Sequence, residues 1–162
     1  MGYRAKMIAN LLILKARNRE YEKLANELIG KIITSDMSVM DKILCEIYEK
    51  VNDQGVVGKI IPSSSTFLSE GEFSSLDIIT QSKIIWLSNI SDYLYRLHAQ
   101  GKDRYSEFRS LALSICKLSK DNLLDVLYEI LVKLYSIFKD DYVESEKIIS
   151  EKDVREIVEE FF

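Results

Sequence analysis

The sequence predicts an all-α chain on three observations. A single proline, Pro62, occurs in 162 residues, so little in the chain forbids long helices. Apolar residues recur at three- and four-residue spacing through most of its length. Clusters of Ser, Thr, Asp, Asn and Gly interrupt that rhythm at helix-length intervals. A hydrophobic share of 47% beside a charged share of 30% suits a packed core and is too apolar for intrinsic disorder. Length sets the expectation of one domain over 1–162, a bundle of about five to six helices.

The first helix is expected from about Tyr3 to Ile33, where Tyr21, Leu24, Ala25, Leu28, Ile29 and Ile32 share a face, with a bend near Asn18. Thr34, Ser35 and Asp36 supply side-chain oxygens that stop this helix and start the next. Met40, Ile43, Leu44, Ile47, Tyr48 and Val51 carry the second helix. From about 53 to 75 the helical rhythm fails, so Val56 to Pro62 reads as an extended piece running into a long irregular loop, pinned by Phe67 and Phe73.

Helical patterning returns at Leu76. Ile79, Ile84, Trp86, Leu87, Ile90, Tyr93, Leu94 and Leu97 occupy several faces, as in a central helix, and Gly101 stops it before Lys102-Asp103. Phe108, Leu111, Ala112, Ile115 and Leu118 mark a fourth helix. Leu124, Leu127, Tyr128, Leu131, Leu134, Tyr135 and Phe138 give the core face of a fifth. After Asp140-Asp141 an irregular stretch is expected up to Ser150. Ser150 opens a short terminal helix over about 151–160, with Val154, Ile157, Val158 and Phe161 on its apolar side.

Composition and motifs exclude several function classes. The longest uncharged runs, such as Met7 to Leu14, fall short of the roughly 18 apolar residues a spanning helix needs, which sets the expectation of no membrane partner and a cytoplasmic protein. Cys45 and Cys116 stand apart, each among apolar residues, and read as buried small hydrophobes. With one histidine, His98, no metal site and no cofactor are expected. Neither Asp140-Asp141 nor Glu159-Glu160 has calcium-loop spacing. Phosphate-loop, nucleophile-elbow and His-Glu-x-x-His patterns are all missing, so no catalytic residue is assigned.

Charge and aromatics carry the functional expectations. On a continuous helix, Lys15, Arg19 and Lys23 recur every four residues with Arg17 alongside, a basic stripe for nucleic acid or an acidic partner. A net charge of −4 weighs against a dedicated nucleic-acid binder. Nine tyrosines and one tryptophan suit an interface, with Trp86, Tyr93, Tyr95, Phe161 and Phe162 as candidate interface residues. Tyr93 and Tyr95 cannot share one helix face, so at least one of them points away from the core. The first reading is a non-catalytic helical interaction or scaffold subunit whose partners are other protein subunits or a second copy. The second is an accessory subunit of a nucleic-acid-processing complex, and the third is an enzyme built around His98.

Overall fold

A computed structural model describes residues 3–34, 40–61, 73–102 and 104–162. It is all-helical among those residues, and the chain divides into two compact units, Met1–Ser75 and Leu76–Phe162. Ser35, Asp36, Pro62, Phe67 and Asp103, to which the sequence assigned capping, loop or start roles, lie outside the described residues.

In the first unit α1 (Tyr3–Arg17) and α2 (Glu22–Thr34) replace the single long helix. The break falls at Asn18, whose backbone is extended (φ −133°, ψ 97°) before a 3-10 turn over Arg19–Tyr21. Asparagine competes poorly for helical conformation, and here its carbonyl accepts from Tyr21 N–H while its own N–H closes the last turn of α1 on Leu14. The chain therefore folds back, and α1 packs on α2. Met7, Leu11, Leu28 and Ile32 are fully buried, each such burial stabilising by roughly 1.5–3 kcal/mol. α3 (Met40–Lys50) packs on α2 and buries Ile43 and Ile47.

The expected extended piece is instead a helix, α4 (Gln54–Ile60). Gly55, Gly58 and the β-branched pair Val56-Val57 argue locally against helix, but Val56, Val57 and Ile60 fall on one helical face and are buried, and α4 packs on α1. Asp53 starts it by accepting from Gly55 N–H at 2.9 Å.

In the second unit the long helix α5 (Ile78–Ala99) contacts α6 (Tyr105–Lys117), α8 (Tyr142–Ile148) and α9 (Glu151–Phe161). Asp77 caps its start through Thr80 N–H and Thr80 Oγ1. Its end turns at Gly101, which takes φ +73°. Lys102 N–H reaches back to Leu97 O and Gly101 N–H to His98 O, both at 3.0 Å, the paired bonds of a left-handed glycine stop. α6 packs on α7 (Leu123–Ile137). Tyr93, Phe108 and Phe138 meet as a triad of rings with centroids 5.1 to 5.8 Å apart, the tilted and edge-on geometry such rings prefer.

The stretch expected to be irregular before Ser150 contains α8, capped by Asp141 through Glu144 N–H. With α4 and the break at Asn18, this gives nine helices with bounds among the described residues rather than five or six. Ser150 accepts from Asp153 N–H as expected, but Asp153 does not complete the box. Glu146 instead accepts from a different first-turn donor, the N–H of Glu151.

The ends of the short and peripheral helices share one device. Carbonyls of a last helical turn lack intrahelical donors, and side chains from other helices or from a flanking turn supply them. Asn10 donates to Ile60 O, Lys83 to Cys116 O, Asn89 to Ile148 O and Arg104 to Ile137 O, over 2.9 to 3.2 Å. Lys83, buried on α5, is thus given both a polar partner and the negative end of a helix dipole.

Candidate protein-docking surface

α7 has the sequence Leu-Leu-Asp-Val-Leu-Tyr-Glu-Ile-Leu-Val-Lys-Leu-Tyr-Ser-Ile. Only Asp125, Glu129, Lys133 and Ser136 interrupt its apolar residues. At 3.6 residues per turn these four fall on one side, leaving roughly two thirds of the circumference apolar. A helix apolar over so wide an arc needs cover on more than one face. The core takes Leu123, Val126, Leu127, Ile130 and Leu134. A second stripe of Leu124, Tyr128, Val132 and Tyr135, spaced four, four and three residues apart, remains exposed, with Leu124 at 57% and Tyr128 at 72%. The sequence reading had assigned Leu124, Tyr128 and Tyr135 to the core face. The signal it passed over was the number of apolar positions, too many for one face.

The polar strip of α7 is anchored on α6. Ser114, fully buried, accepts from Lys133 Nζ at 2.6 Å and donates to Glu129, which also pairs with Lys133 at 3.0 Å. Lys133, and then the Ser114 hydroxyl, hold the Glu129 carboxyl below its ordinary value. This clamp ties the polar strip of α7 to α6.

Beside the stripe, α7 and α9 form an open groove of about 600 Å³. Leu131, Tyr135, Ile149, Val154 and Val158 line it together with Glu151, Arg155 and Glu159. At the N-terminal end of α9 interaction with Glu151 first, together with burial and Glu146, raises the pKa of the Tyr142 phenol well above the ordinary tyrosine value. Tyr135 is raised too, first by burial and then by the charges of Glu151 and Glu146. Both phenols stay neutral at physiological pH, and Tyr135 presents an amphipathic face to the groove.

The aromatic residues singled out in the sequence separate. Trp86 is fully buried, so this ring offers no surface for docking. Tyr93 is half-buried in the ring triad. Phe161 is half-buried with Lys120 Nζ 5.8 Å from its ring centre. Tyr95 and Phe162 are exposed, at 73% and 76%. The pair Tyr93 and Tyr95 does face opposite ways, as their spacing requires.

The basic stripe loses its geometric basis because the break at Asn18 interrupts the helix on which the four-residue repeat was counted. Lys15 ends α1 and donates to Asn26 Oδ1 at 2.8 Å, Arg19 sits in the 3-10 turn and Lys23 begins α2. Arg17, Arg19 and Lys23 are exposed around that elbow.

Cys45 is exposed rather than buried, since it lies two positions from both Ile43 and Ile47 and so opposite the packed face of α3. Cys116 is intermediate. His98 is exposed in the last turn of α5, and among the described residues no hydrogen bond joins its ring to a carboxylate or a nucleophile. Among the described residues no group of three or more His, Cys, Asp or Glu side chains is placed to hold a metal ion, and no helix is long and apolar enough to cross a membrane. Compared with known protein families, with curated proteins and with solved structures, the chain finds no match.

Proposed function

We propose that this chain is a non-catalytic helical subunit that docks onto another protein through the outer stripe of α7 and the groove beside α9. The observation that carries the reading is the second apolar face of α7. Leu124, Tyr128, Val132 and Tyr135 stand exposed on a helix whose opposite face already fills the core. Contiguous exposed apolar surface of this kind is unfavourable in an isolated protein and characteristic of interaction sites. Tyrosine suits such a site because it combines a large apolar area with a polar tip and few rotatable bonds.

The reading is tested by placing a photo-reactive side chain at Tyr128 and, as a control, at exposed Ser106 on α6, then irradiating cells that produce the full chain. A discrete adduct at the first position and none at the second is the expected result. No adduct at Tyr128, or the same pattern from both positions, contradicts it.

A further inference from the structure

We infer that the occupant of the α7–α9 surface is an amphipathic helix of a different protein, apolar along one stripe and flanked by lysine or arginine. This rests on the docking reading above and adds the chemistry of the partner. Three features of the surface point to it.

The first is shape. The exposed stripe from Leu124 to Tyr135 runs about three helical turns, roughly 16 Å at 1.5 Å per residue. Its floor continues into the groove through Leu131, Val154 and Val158. A straight apolar trough between two helices receives the apolar stripe of a third, whose anchors recur at i, i+3, i+4 and i+7. The second is chemistry. Five of the eight lining residues are aliphatic or aromatic and three are charged, a mixture that favours an apolar ridge with polar flanks.

The third is charge. On the groove side of α9 stand Glu151 and Glu159 against Arg155, while Asp153, Glu156 and Glu160 fall on the opposite side of that helix. Glu146 adds a third carboxylate beside Glu151, so the charge along the groove is net acidic. A rim of this sign attracts cationic flanks and repels acidic ones. It also argues against a second copy of the chain as occupant, because a two-fold pairing sets the same patch against itself and brings the acidic rims together. An anionic membrane surface is disfavoured for the same reason.

The test uses the full chain and two labelled peptides of about 18 residues. Both carry leucine at i, i+4, i+7 and i+11, one with lysine on the flanking positions and the other with glutamate. By fluorescence anisotropy the lysine peptide is expected to bind at least about ten-fold more tightly than the glutamate peptide, with the difference shrinking as salt is added. Tyr128→Ser should weaken the lysine peptide by about ten-fold. Glu159→Lys, at an exposed position, should narrow the preference between peptides while leaving the circular dichroism spectrum unchanged.

Equal affinity for the two peptides, failure of the lysine peptide to bind at about 1 mM, or a preference untouched by Glu159→Lys overturns the inference. So does a dimer by light scattering that Tyr128→Ser dissolves, or Tyr128-dependent attachment to phosphatidylcholine vesicles. A crosslinked adduct at Tyr128 together with equal peptide affinities leaves docking standing and removes only the basic helix.

Discussion

Leu127 and Tyr128 are neighbours on α7, yet Leu127 is buried to 4% exposure while Tyr128 stands 72% exposed. Both are large and apolar in body, so the difference is one of rotation: burial of Leu123, Val126, Leu127, Ile130 and Leu134 turns one face of α7 inward and leaves Tyr128, about 100° round the helix from Leu127, outside. The two positions should answer mutation in opposite ways. Leu127→Ala should cost roughly 2–5 kcal/mol through lost burial and the cavity left behind. Tyr128→Ser and Leu124→Ser should leave stability within about 0.5 kcal/mol and improve solubility. Urea denaturation of the three variants checks this, and a loss at Tyr128 matching that at Leu127 would place Tyr128 in the core.

Two glycines should also respond in opposite ways. Gly30 sits inside α2, and a methyl group added there meets nothing within 4 Å. Gly30→Ala should stabilise by about 0.5–1 kcal/mol, because alanine loses less backbone freedom on folding. Gly101 has equal space but takes φ +73°. Gly101→Ala should destabilise by about 1–2 kcal/mol, the steric cost of the left-handed region. Thermal melts of the pair separate the conformational term from packing.

Glu46 links α2 to α3. Its carboxylate accepts from Lys31 Nζ and from Lys50 Nζ, the latter at 2.6 Å, and these two cations hold its pKa below the ordinary 4.5. The folded chain binds this proton less readily than the unfolded chain does. The stabilisation is therefore fully present above the ordinary value of 4.5 and is lost as pH falls through the lowered folded value. Glu46→Gln should cost about 0.5–1 kcal/mol at neutral pH, less in high salt, and nothing once the carboxylate is protonated. A cost that stays constant from pH 7 to pH 2 would show that the ion pairs contribute no stability.

Trp86 is the only tryptophan and is fully buried, and among the described residues no acceptor meets its indole N–H. Its emission should be blue-shifted and resistant to acrylamide. Trp86→Phe should cost less than the roughly 3–5 kcal/mol of a large-to-alanine change, since it removes a polar atom that gains nothing in the fold. A solvent-exposed emission maximum would contradict the burial.

How much of this was legible in the sequence follows from what local pattern encodes. The Ser150 cap and the stop at Gly101 were readable because each rests on residues within a few positions of one another. The fate of 54–60 was not, because two glycines and paired β-branched residues say "extended" locally and only packing on α1 makes Val56, Val57 and Ile60 a helical face. Asn18 was readable as a bend, but a bend and a full reversal differ in consequence. The reversal takes Lys15, Arg17, Arg19 and Lys23 off a single continuous helix. Trp86 and Tyr128 illustrate the limit for sites. Both are amphipathic aromatics at helical spacing, and the sequence cannot say which of two apolar faces the core will take.

Tyr95 and Tyr128 supply an internal comparison, since the free chain exposes them almost equally, at 73% and 72%. Radical labelling of tyrosine, read by mass spectrometry, should modify both alike in the purified chain. In the assembly recovered from cells, Tyr128 should be protected together with Tyr135, while Tyr95 stays labelled. Protection of Tyr95 with Tyr128 still reactive, or equal labelling of both, would contradict docking through α7.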